Sequence, residues 1–146
     1  MKVKIKVQPD IAETEVDILC QEADMKIKRL ASYIQQFSKS ISCYQDNRKF
    51  QIPLHQILYL ETIDGKTFLY TKEEVYQCKG NFVSLEAFFQ KSCFTRISRN
   101  VIVNVKRIQY VEPYENHRLV VMMSNGEKIL AGRTYIRKLK EMLYQL

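Results

Sequence analysis

No part of this chain is apolar for long. The longest unbroken run is Leu119 to Met123, far short of the roughly 20 residues a membrane-crossing helix needs, so any membrane contact is expected to be peripheral. The cysteines Cys20, Cys43, Cys78 and Cys93 make no CxxC or CxxxH spacing, which points away from a metal site and toward small core residues in a reducing cytoplasm. The N-terminal MKVKIKV alternates charged and aliphatic residues where a secretory signal needs continuous apolar sequence, so a cytoplasmic location is expected. Glycine is scarce. Gly65-Lys66-Thr67 imitates the end of a phosphate loop, but the position where the motif needs its first glycine is Leu60, and no glycine-rich cradle exists. His55 and His117 lie far apart, neither beside a nucleophile motif. The reading is therefore no enzyme, no catalytic residue, no cofactor, no metal and no small-molecule substrate. Repeats, low-complexity tracts and flexible linkers are absent as well.

What is present suits one core. The 146 residues are 46% hydrophobic and carry nine Tyr and seven Phe, enough for a single globular core with a small appendage. The formal charge of +7 is uneven, since residues 1 to 45 hold seven basic against six acidic side chains and the rest of the chain holds the excess. A basic surface of that kind suits a polyanion, whose condensed counterions are released on binding, or else a merely solvated face.

Periodicity sketches the elements. Val3, Ile5 and Val7 alternate with lysines as in a half-buried edge strand, ended by Pro9 and Asp10, and Val16 to Cys20 suggests a second short strand. Ala23, Ile27, Leu30, Ala31 and Ile34 recur at helical spacing behind a capping Asp24, giving a β-β-α unit over residues 1 to 45, for which a role in dimerisation or regulation is the expectation. From about Phe50 the pattern is mostly β. Ile57 to Glu61 and Thr67 to Thr71 flank an Asp64-Gly65 hairpin signal, because both residues tolerate positive φ. Val75 to Cys78 adds a strand, and Ser84 is expected to cap a short helix with Leu85, Phe88 and Phe89 on one apolar face. Arg96 to Val103 fits a strand or a tight helical turn. Gln109 to Glu112 and Arg118 to Met123 read as strands around Pro113 to His117, and Ser124 to Glu127 turns into Lys128 to Ala131. A final helix is expected from Thr134, with Ile136, Leu139 and Leu143 inward.

The run ILYLET at 57 to 62 followed by FLYT, the SLEAFF helix, the run FTRISRNVIVNVKRI from Phe94 to Ile108 and the closing GRTYIRKLKEML at 132 to 143 resemble, in that order, the LytTR family of bacterial DNA-binding domains. The third run is the most specific. The resemblance covers roughly residues 45 to 146 and implies an α+β, mostly β fold of small packed antiparallel sheets with short helices, here in a freestanding regulator without a receiver domain. It implies sequence-specific binding of double-stranded DNA and transcription regulation, with loops of a β scaffold reading the major groove. The loops that correspond are Asp64 to Thr67, Ser98 to Asn100, and Arg133 with Thr134. This chain departs from the family at Ser98, where His is common, and at Asn100, where Ser is usual. Binding as a homodimer or paired monomers is implied, and a small membrane protein is a possible partner.

Each candidate has a chemical role. Arg99 and Arg133 can fork onto guanine O6 and N7, and Asn100 can pair with adenine N6 and N7. Lys66 suits a phosphate, as do the hydroxyls of Thr67 and Thr134, the latter with the alternative of capping the last helix. Ser98 belongs to the same turn. Arg96 either faces DNA or is tethered inward to Glu61 or Glu112, and Asn104 is expected to tie backbone groups at a turn. Lys106 and Arg107 read as ordinary solvent charges. Two other classes stay open: a protein-interaction module that pairs through its Val3 to Val7 edge strand, and an RNA-binding β module.

Overall fold

A computed structural model describes residues 1–90 and 92–144. Its first element is helix α1 (Met25–Phe37), opened by Asp24, whose Oδ1 accepts from Ile27 N at 2.9 Å. Two hairpins then set the frame. Strands β1 (Ser40–Gln45) and β2 (Arg48–Pro53) meet at Asp46-Asn47, while β3 (Tyr59–Ile63) and β4 (Lys66–Tyr70) meet at Asp64-Gly65. All four turn residues take positive φ, at 50°, 63°, 51° and 77°, the geometry in which a two-residue loop matches the natural twist of the strands it joins. Strand β5 (Val75–Cys78) and helix α2 (Phe82–Phe88) come next, then β6 (Phe94–Ser98) and β7 (Val101–Asn104). The chain closes with β8 (Ile108–Tyr114), β9 (Arg118–Met123), β10 (Lys128–Ala131) and helix α3 (Arg133–Tyr144).

Strands β1 to β7 form one antiparallel sheet in the order β2-β1-β5-β4-β3-β7-β6, and the others a three-stranded sheet in the order β10-β9-β8. The large sheet is the middle layer. On one face Leu60, Leu69 and Ile102 pack with Phe82, Leu85 and Phe89 around α2; on the other, Tyr59, Val101 and Val103 pack with Leu119, Val121, Met123 and Leu139 from the small sheet and α3. Every residue of β7 is buried. A strand covered on both faces loses the apolar and polar alternation that marks a half-buried one, which is why its sequence also fits a helical turn. Asn104 is the polar member of this strand. Its Nδ2 donates to the Ile57 carbonyl at 2.9 Å and its Oδ1 accepts from Lys106 N at 3.1 Å, so it fastens the strand end to the preceding loop.

The mostly β, antiparallel architecture with short helices is as expected, but the N-terminal β-β-α unit is not. Residues 1 to 24 form no strand, and Val3, Ile5, Val7 and Leu19 are 85–97% exposed. Alternation decides which side chains would share a face. It does not supply the neighbouring backbone that a strand's N–H and C=O groups need, and with no partner those groups stay with water. Strand β1, on the N-terminal side of the division expected between residues 45 and 46, pairs with β2 and β5 on its other side. Helix α2 begins earlier than expected as well. Asn81 is its cap, accepting from Ser84 N at 2.9 Å, and Phe82 rather than the exposed Phe88 completes its inner face.

Candidate nucleic-acid interface

Sheet register brings the loops in question to one end of the molecule. Strand β7 pairs with β3 up to Glu61↔Val101, and the ladder continues one step further as Thr62 N donates to the Asn100 carbonyl at 2.9 Å. The β3–β4 tip therefore stands directly beside the β6–β7 tip. Strand β6 carries a bulge, since Arg96 faces Ile102 but Ser98 faces Val101, and a bulge bends its strand and re-aims the residues beyond it. The extra residue, Ile97, uses its carbonyl to accept from Gly132 N at 2.8 Å. That bond docks the entry of α3 two residues from Arg99, so a third loop joins the same end.

Side chains at these tips divide into free and committed groups. Lys66, Arg99 and Arg133 are exposed, and none has a side-chain hydrogen bond or ion pair among the described residues. Thr134 is also exposed and sits inside α3 rather than at its cap, its hydroxyl uncommitted among the described residues. Ser98 and Asn100 bond to each other, with Ser98 Oγ donating to Asn100 Oδ1 at 3.0 Å, while Asn100 Nδ2 reaches the Thr62 carbonyl at 3.5 Å. They brace the tip and still face solvent. Thr67 does not join the group. It is 2% exposed, and its hydroxyl lies 3.4 Å from both Thr62 Oγ1 and the Gly80 carbonyl, because on β4 it shares the inward parity of Leu69.

Arg96 is a clamp. Its Nη1 is paired with Glu86 on α2, its Nε donates to the Ser98 carbonyl at 3.0 Å, and its Nη2 donates to the Arg99 carbonyl. The inward tether is thus real, but its carboxylate is Glu86 instead of Glu61 or Glu112. A planar fork with several donors can serve an acid and two carbonyls at once. Glu86 and the Ile97 to Gly132 link are what sequence reasoning missed: both are contacts between elements, and neither leaves a local signature. Arg107 differs from expectation too, since its Nε and Nη2 both donate to the His55 carbonyl. The arrangement can present cations and amides at the tips of a stiff sheet to a polyanion. No trio of His, Cys, Asp or Glu among the described residues is placed to hold a metal, and no described helix is long and apolar enough to cross a membrane.

The family model for the LytTr DNA-binding domain matches residues 47–144. The sensory transduction protein LytT of Bacillus anthracis is 30% identical over 92 residues, 63% of this chain and 37% of that protein. The transcriptional regulatory protein YpdB of Escherichia coli is 23% identical over 115 residues, 78% of this chain and 47% of that protein. This chain thus spans less than half the length of these curated relatives. Among solved structures, the LytTr DNA-binding domain of a putative methyl-accepting/DNA response regulator from Bacillus cereus superposes with a TM-score of 0.68 at 24% identity, covering 73% of this chain and 97% of that one. That likeness establishes the fold.

Proposed function

The chain belongs to the LytTr DNA-binding domain family, and from that premise we propose that it binds a specific duplex DNA site through its three clustered tips and so regulates transcription in the cytoplasm, without catalysis. The observation that carries this reading is the exposure of Lys66, Arg99 and Arg133, each without a protein partner among the described residues, at one end of the large sheet. Arg99 and Arg133 would read guanine edges, and Lys66 and Thr134 would meet phosphates. Ser98 and Asn100 would brace the tip and add contacts at its rim. Thr67 and Arg96 support the reading only indirectly, by holding the turns.

Two chains are proposed to share one site. The support is the exposed apolar side chains of residues 1 to 24, which offer a second copy a surface that this fold does not use. Family resemblance adds a small membrane protein as a further proposed partner, testable by co-purification with membranes. The central test is selection of a duplex from random sequence, followed by anisotropy titration with sedimentation of the complex. Arg99→Ala and Arg133→Ala should each weaken the selected duplex by about 1–3 kcal/mol and leave thermal stability unchanged. Equal affinity for selected and bulk DNA would refute the specific reading. One chain per duplex at saturation would refute the pairing.

A further inference from the structure

Helices α1, α2 and α3 and the outer edge of β6 line an open cleft of about 660 Å³, a size typical of sites for small organic ligands. Part of its lining is apolar, including Phe89, Phe94, Val105 and Met142, and part is cationic, with Lys28, Arg29, Lys106 and Lys138. The carboxylate in the lining, Glu86, is already engaged by Arg96. Among the described lining residues the other cations have no acid facing them.

Two residues that line the cleft each carry an orphaned polar atom shielded from water. Thr95 is 4% exposed, and its Oγ1 has no hydrogen-bond partner among the described residues; the same holds for the buried Nε of Arg29. Buried polar groups are nearly always bonded, and those that are not call for an explanation. Lys106 is exposed and also lacks an acid. Its Nζ lies 3.8 Å from the centre of the Tyr33 ring and has no carboxylate, and loss of water there pulls its pKa down.

We infer that this cleft is a binding site for a small amphiphilic anion, its acidic head taken by Arg29, the neighbouring lysines and the Thr95 hydroxyl, its apolar body lying against Phe89 and Phe94. A charged head satisfies orphaned donors more strongly than a neutral one. An apolar body alone would leave them as they are.

Calorimetric titration of the full chain without DNA tests this, so the outcome is independent of the DNA reading. Decanoate and anilinonaphthalene sulfonate are the probes, with decanol as the uncharged counterpart. Saturable binding of one probe per chain is expected, with decanol about tenfold weaker or worse. Thr95→Val keeps the shape of the side chain and removes only the unpaired hydroxyl, so it should fold normally and weaken decanoate by about fivefold. Arg29→Gln should act in the same direction. Absence of saturable binding by either anion, decanol binding as well as decanoate, or unchanged affinity in both variants would overturn the proposal.

Discussion

Replacing Arg96 by lysine keeps the charge and removes the fork, which separates a clamp from a DNA contact. In the native fold the guanidinium serves Glu86 and the carbonyls of Ser98 and Arg99. The side chains of Arg96 and Glu86 are 29% and 43% exposed, so solvent screening limits that pair to about 0.5–1 kcal/mol. Each carbonyl bond contributes about 0.5–1.5 kcal/mol net. An ammonium can keep one of the three partners, so the expected loss for Arg96→Lys is about 1–2 kcal/mol. For a chain of this size that lowers Tm by about 3–8 °C. Thermal unfolding followed by circular dichroism measures it, and amide chemical shifts of Arg99 and Asn100 report whether the turn has moved. DNA affinity should fall through disorder of the tip, while the slope of affinity against salt stays constant because no phosphate contact is lost. A Tm within about 1 °C of the native value, with unmoved Arg99 and Asn100 resonances, would refute the clamp.

Gly65→Ala should cost about 1–2 kcal/mol: the residue stands at φ +77° with nothing within 4 Å of an added Cβ, so the whole penalty is left-handed backbone strain. Urea midpoints measure it, and an unchanged midpoint would contradict the turn geometry. Stability should also fall in alkali. Burial pushes the Cys43 thiol from 9.0 up to about 11 and the Cys78 thiol up to about 12. The unfolded chain therefore releases these protons from about pH 9 while the native one holds them, so their contribution is intact below pH 9 and is lost as pH rises through the native values. Unfolding free energy at pH 10 should be about 1–3 kcal/mol below that at pH 8. A flat profile, or the same fall in a Cys43→Ala, Cys78→Ala chain, would exclude the thiols as its source.

How much of the molecule is legible in its sequence depends on whether the cause is local. Asp64-Gly65 announces its hairpin because positive φ is a property of the residues themselves, and Asp24 and the Val75–Cys78 strand are local in the same sense. The twin signal at Asp46-Asn47 is masked because the preceding SISCYQ reads as the end of a separate unit, although Ile41 and Cys43 alternate inward there. Thr67 reads as an interface residue, although its parity with Leu69 already puts both on one face of β4. The partner of Arg96 is out of reach, since Glu86 meets it only once α2 packs across the sheet. Residues 1 to 7 show the opposite error, a convincing local pattern with no neighbour to complete it.

The side chains of Lys66, Arg99 and Arg133 stand outside both hydrophobic clusters, and that separation has an evolutionary consequence. On the proposed reading of these three residues, substitutions there alter what the molecule recognises without charging the cost to its foldedness. A lineage can therefore drift from one operator to another by single steps, each leaving a fully assembled protein for selection to judge.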